Sequence, residues 1–390
     1  MNFDEPIDRR NTHSDKWDSM YARYGVSPDD GIAMWVADMD FRSPQCVIDA
    51  VAAQHAHGVF GYFGDQAAYR AAICWWMKTR HDWTVDAESI FTTHGLVNGT
   101  ALCIESFTQP CDGVVLFTPV YHAFARVIKA SGREVVECPL KNNAGRYEMD
   151  FAAYDAQMTG RERLLLLCSP HNPCGRVWSK SELQDVADFA RRHDLILVSD
   201  EVHHDLVFGD TIHTPMANID PTVADRLVIL SAASKTFNIA GNYSGNVIIA
   251  DQTLRARFAN RMKAFGISAN AFGLHMTTAA YSPDGAKWVN ALNTYLDGNR
   301  QLLDAGLNAI PGVRSMEMQA THLAWVDFAG TGMSAEEFTA RVEKRARIAV
   351  SHGPGFGLGG ETFLRFNFAT QRARLTEAVE RMQDAFSDLQ

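Results

Sequence analysis

The 390-residue sequence has no apolar run approaching the ~20 residues that a membrane-crossing helix requires; stretches such as Leu164–Cys168 are far shorter. It also lacks any long block of like charges, which excludes a tail built for a membrane surface or nucleic acid. Lys and Arg number 36 against 46 Asp and Glu, a formal net charge of −10, which argues against a general phosphate-backbone binder. The seven cysteines (46, 74, 103, 111, 138, 168 and 174) are odd in number, scattered and never spaced C-x-x-C. That pattern fits free thiols in a reducing cytoplasm better than a disulfide framework. The opening MNFDEPIDRR lacks the charged-then-apolar order of a signal peptide. Neither repeats nor low-complexity segments occur. With 46% apolar residues there is ample surface to bury, so disorder is excluded as the main state. The expectation is a soluble cytoplasmic protein of two or three domains.

Between residues 90 and 250, short apolar strands alternate with amphipathic helices. Strands are predicted over Val114–Phe117, Glu134–Cys138, Arg163–Cys168, Leu195–Ser199, Arg226–Leu230 and Asn246–Ala250, with gaps long enough for crossover helices. In one gap Ser179 and Glu182 form an S-x-x-E capping box, and Leu183, Val186, Ala187 and Ala190 follow at helical spacing. Runs such as LLLLC and LILVS suit strands covered on both faces. The fold class is therefore α/β with a mainly parallel sheet flanked by helices. After Pro283 a long helix, about 285–308, precedes strands near His322–Phe328, Ile348–Ser351 and Thr362–Phe368, a smaller α+β pattern. The expected division is an N-terminal segment 1–45 packing beside the small domain, a large domain 46–284 and a small domain 285–390.

Ligands of an open parallel sheet bind outside the carboxyl ends of its strands. Thr118-Pro119-Val120-Tyr121 follows VVLF, Ser169-Pro170-His171-Asn172 follows LLLLC, Asp200 and Glu201 follow LILVS, and Ser234-Lys235 comes shortly after LVILS. Taken singly, these are turn, cap and surface residues. Together they place an aromatic, an amide, a carboxylate and an amine on one edge. That set suits pyridoxal phosphate (PLP): an amine for the aldehyde, a carboxylate for the pyridine nitrogen, and an aromatic for the ring face. The stretch Thr93 to Thr100 (THGLVNGT) opens a helix and can offer backbone amides to a phosphate.

The sequence resembles fold-type I PLP enzymes, and most closely the cystathionine β-lyase or C–S lyase branch (MalY/PatB type) of the class I/II aminotransferase-like proteins. The resemblance is carried by MWVADMDF (34–41), FGYFGD (60–65), SPHNPCGR (169–176), SDEVHHDLVF (199–208), SKTFNIAG (234–241) and FLRFNFA (363–369), in family order across nearly the whole chain. It implies that Lys235 is the Schiff-base lysine and proton shuttle. Asp200 then pairs with the pyridinium, Asn172 bonds the ring 3-oxygen and Tyr121 stacks on the ring. Gly95, Leu96 and Val97 lie at the phosphate with Ser234 as a hydroxyl donor. Arg365, with Val36 near it, holds the substrate carboxylate. It further implies a homodimer in which Tyr62 reaches the cofactor of the other subunit, and a small amino-acid substrate, with no metal, nucleic acid or membrane.

The chain departs from the family pattern at several positions. His203 stands in the cofactor region where tyrosine is common, Tyr243 where many aminotransferases carry arginine, and Ala232 where serine is common. His94 precedes the phosphate glycine, and His322 and His352 flank the expected carboxylate region. Asp200, His203 and His204 lack the spacing of a metal site. GPGFGLGG (353–360) reads as the glycine-rich segment before Arg365, not a nucleotide loop. The activity implied is α,β-elimination from cystathionine or related cysteine S-conjugates. A class I/II aminotransferase is the alternative, and a non-catalytic regulator on the same fold is a third reading.

Overall fold

The computed structural model describes residues 1–389. A seven-stranded sheet is formed by β1 (Ile90–Thr93), β2 (Gly113–Thr118), β3 (Glu134–Pro139), β4 (Glu162–Cys168), β5 (Ile196–Asp200), β6 (Leu227–Ser231) and β7 (Gly245–Ile248). Its spatial order is β1-β7-β6-β5-β4-β2-β3, and β7 alone runs antiparallel to both of its neighbours. The predicted strands are all present. β1 has no counterpart among them, and the reversed direction of β7 has no signature in its composition.

β4 shows why the apolar runs are continuous. Leu165 and Leu167 enter one hydrophobic cluster, while Leu164, Leu166 and Cys168 enter a second on the opposite face. Helix α1 (Leu96–Phe107) follows β1, and α2 (Lys180–Arg192) follows β4. The Ser179–Glu182 capping box of α2 is formed in both directions, and its Leu183, Val186, Ala187 and Ala190 are buried.

The long helix α3 spans Pro283–Asn308, and the chain then forms a four-stranded antiparallel sheet from β8 (Arg314–Ser315), β9 (Leu323–Asp327), β10 (Ser351–His352) and β11 (Phe363–Asn367). α4 (Arg372–Ala385) packs against α3. Between β9 and β10 the chain forms a short helix, Ala335–Ala340, that runs into a π-helical turn, Arg341–Arg345. The N-terminal segment joins this part of the chain: Ile32 and Ala33 pair in parallel with Ile348 and Ala349. Lys16 is fully buried against Asp40, which also receives Arg9. No described helix is long and apolar enough to cross a membrane.

Candidate active site

β2 and β4 are neighbours from which the chain winds outward in opposite directions, so the sheet has its topological switch point between them. Tyr121 lies three residues beyond β2 and Asn172 four beyond β4, on either side of this point. Asp200 is the last residue of β5, and Lys235 sits in a short helix, Ala233–Thr236, after β6. These four residues, with Gly95, Leu96, Val97, His203 and Ser234, line one cavity of about 410 Å³. That size is in the range of small-molecule sites.

The charges in this cavity are poorly compensated. Lys235 Nζ donates to the Ala37 carbonyl at 2.8 Å. Burial pulls its pKa down to about 8, assisted by Arg365, while Asp38 and Asp200 act the other way. Among the described residues, the Asp200 carboxyl accepts only the Val202 N–H, at 3.1 Å. Burial pushes its pKa up to about 7, with Glu201 adding to the shift. A buried carboxylate with one hydrogen bond is a site for a cationic or N–H partner. His203 is buried, and burial together with Lys235 and Arg365 drives its pKa well below the usual value, so it is a neutral imidazole.

At the opposite wall α1 starts from Gly95, which has φ of +78° and no side-chain cap. Gly245 of β7 packs against that turn: a Cβ there would come within 2.6 Å of Leu96 Cδ2. Glycine at both positions leaves the first turn of α1 facing the cavity with free N–H groups, a cradle for a phosphate. A ring with an acidic N–H, an aldehyde and a phosphate therefore fits the residues present.

Arg365 is only 2% exposed, yet it makes no ion pair among the described residues. Nη1 donates to Asn172 Oδ1 (3.0 Å), and Nη2 to the Trp35 carbonyl (2.8 Å) and Ser351 Oγ (3.1 Å). The guanidinium lies over the Phe356 ring, 5.0 Å from its centroid. Burial brings its pKa down to about 10. Asn172 thus touches Arg365 and lines the cavity at once. Val36 lies outside the cavity lining, and its carbonyl accepts from Asn367 Nδ2 at 2.5 Å.

Tyr62 is not brought to the cavity within this chain. It is fully exposed and borders a separate hollow with Phe63, Arg70 and Met262. His94 is at the cavity, bonded through Nε2 to the Ser268 carbonyl at 2.7 Å. His322 is wholly buried 6.0 Å from His203, centroid to centroid, and His352 is paired with Glu343 on the surface. His204 belongs to another group, with His81 and Asp205. Asp205 also accepts from Trp76 Nε1 and from Thr236 Oγ1, so it ties down the helix that carries Lys235. Sequence reading missed Ala37, Phe124, Arg126, Cys168 and Val202 in the lining. Cys168, last in LLLLC, and Val202, two residues after Asp200, carried a positional signal.

Comparison with known proteins points to one family. The model of the family described as "Aminotransferase class I and II" matches residues 30–382. The chain is 37% identical to cystathionine beta-lyase PatB of Bacillus subtilis, over 99% of this chain and 100% of that protein. It superposes on cystalysin from Treponema denticola, a structure containing pyridoxal 5'-phosphate, with a TM-score of 0.95, 34% identity, and 100% and 99% of the two chains covered. The PLP-bound C–S lyase of Staphylococcus hominis gives a TM-score of 0.90 at 30% identity, with 100% and 99% covered. The fold is thus that of fold-type I PLP enzymes, and the chain belongs to the class I and II aminotransferase family.

Proposed function

We propose that this protein is a PLP-dependent carbon–sulfur β-lyase that acts on cystathionine or related L-cysteine S-conjugates. Water is consumed, and a thiol, pyruvate and ammonia are released. The observation that carries the site reading is the arrangement of Lys235, Asp200 and Arg365: the first two line one cavity, Arg365 lies behind its wall against Asn172, and none of the three has a full counter-charge among the described residues. An amino acid bound to an aldehyde cofactor supplies what each lacks.

When bound, PLP supplies an electron sink for the pair left as the substrate loses its Cα proton. Asp200 is assigned to keep a proton on the ring nitrogen, and Asn172 to donate its amide N–H to the ring 3-oxygen while its Oδ1 accepts from Arg365. Tyr121 covers the ring face. The first turn of α1 with Ser234 holds the phosphate, and His203 lines the cofactor region as a neutral imidazole. Arg365 grips the substrate carboxylate with two N–H groups, fixing the Cα–H bond relative to Lys235. Lys235 Nζ, with its pKa lowered to about 8, is neutral often enough near pH 7 to take that proton.

Elimination and amino transfer share all these steps up to proton removal. Elimination is preferred because cystathionine beta-lyase PatB is similar along its whole length. We also infer a homodimer in which Tyr62, exposed on one copy, completes the cavity of the other. The seven free cysteines support a cytoplasmic setting. The test is to incubate PLP-loaded protein with L-cystathionine and no keto acid: thiol and pyruvate should accumulate in equal amounts. Amino transfer that requires a keto acid, without thiol release, would establish the aminotransferase reading instead.

A further inference from the structure

Residues 35–39 have no regular secondary structure, yet five consecutive carbonyls there are all taken by side chains. Trp35 accepts from Arg365 and Ser351. The Ala37 carbonyl accepts from Lys235 Nζ at 2.8 Å. On either side of it, the Val36 and Asp38 carbonyls both accept from Asn367 Nδ2, at 2.5 Å each. Asp38 also receives Lys16 Nζ, and Met39 receives Asn238 and Arg9. Asn367 is 1% exposed, and its remaining groups are engaged: Oδ1 accepts from Ala369 N–H, and its own N–H donates to the Met34 carbonyl.

Asn367 lies two residues beyond Arg365 on β11, so the two side chains project from the same face of the strand. One strand therefore carries both the proposed substrate hook and the clamp on the segment that meets the lysine. We propose that Asn367 is a positioning residue for Lys235: by gripping the carbonyls on both sides of Ala37, its carboxamide holds the Ala37 carbonyl against the lysine amine. Asn367 touches neither the amine nor the cavity. It acts through the segment it holds.

The consequence has a definite sign. A carbonyl acceptor and a nearby carboxylate both favour the ammonium form. Lys235 otherwise faces Asp200, which acts in the same direction, and Arg365, which opposes it; His203 and His322 are neutral neighbours. Releasing the segment removes the Ala37 acceptor and lets the Asp38 carboxylate, which is paired with Arg9 and near Lys16, move off, leaving the effects of Arg365 and burial. The amine then loses its proton at lower pH.

This inference rests on the reading of Lys235 as the working amine, but its test does not require the cofactor. In cofactor-free full-length protein, the pH dependence of Lys235 modification by an amine reagent is followed by peptide mass spectrometry. Asn367→Leu keeps the shape and removes the donors. Asn299→Leu is the control, because Asn299 is an equally buried amide that clamps the Phe368 and Thr370 carbonyls and does not touch the 35–39 segment. The expected result is a midpoint about one unit lower for Asn367→Leu and unchanged for Asn299→Leu. Should the leucine variant fail to fold, Asn367→Ala gives the same reading. An unmoved midpoint, or an equal shift in the control, overturns the proposal. Failure of the lyase reading is seen separately, as absence of thiol release by the loaded wild-type protein.

Discussion

Replacing Arg365 by methionine separates a substrate-binding arginine from a structural one. The guanidinium is buried among neutral groups, so the cofactor-free fold carries a desolvated cation with no anion beside it. Methionine replaces the aliphatic stem, ends near the Nε position and carries no charge. It leaves Trp35 O with its second donor, Ser351 Oγ, and deprives only Asn172 Oδ1 of its one N–H partner. The loss of three hydrogen bonds and the relief of the buried charge oppose one another, and stability should remain within about 1–2 kcal/mol of wild type. Catalysis has no such compensation. Two charge-assisted bonds to a carboxylate are together worth about 3–5 kcal/mol, or two to four decades in kcat/KM. The assay is steady-state thiol release from cystathionine, set beside thermal unfolding of the same preparation. A loss of less than tenfold with a stable fold would refute the carboxylate role. A collapse of the fold would show that the arginine is chiefly structural.

The same geometry fixes four further outcomes. Lys235→Ala should abolish the visible absorbance band of the cofactor-loaded protein; an unchanged band would remove the lysine from its assigned place. Loading of cofactor-free protein with PLP should accelerate about tenfold per pH unit up to about 8, as Lys235 Nζ loses its proton, and then level off; a flat rate over this range would contradict a neutral-amine attack. Asp200 has a folded pKa raised to about 7, so its contribution to stability is fully present below about pH 4 and lost as pH rises through 7. Without cofactor, wild type should therefore lose thermal stability relative to Asp200→Asn between pH 4 and 7, a trend measurable by calorimetry. Finally, mixing inactive Tyr62→Ala and Lys235→Ala proteins should restore about a quarter of wild-type activity, because each mixed dimer has one intact site; no recovery on demonstrated subunit exchange would place Tyr62 outside the partner's site.

Much of the fold and site is legible in the sequence because parallel strands impose a strong pattern. LLLLC reads as a strand since both faces of β4 are buried, and the residues after each strand are gathered by the sheet itself. Lys235, Asp200, Asn172 and Tyr121 can thus be placed along one edge from strand positions alone, whereas Gly95 is reached from the helix start THGLVNGT and the family resemblance. Direction is another matter: β7 has the same composition antiparallel as it would have parallel, and β1 is too short to announce itself. Contacts set by packing are equally silent. Nothing in the spacing indicates that Arg365 has no acidic partner, or that Arg126 lies on the cavity wall. The 35–39 segment lacks any period, because its order comes from side chains supplied by residues 9, 16, 235, 238, 351, 365 and 367, which are distant in sequence.

The most direct test of the central claim is to treat the PLP-loaded protein with borohydride, digest it, and locate the pyridoxyl group by mass spectrometry. The expected result is one modified peptide, carrying the label on Lys235. A label on any other lysine, or none on a protein that still releases thiol from cystathionine, would contradict the assignment of this amine.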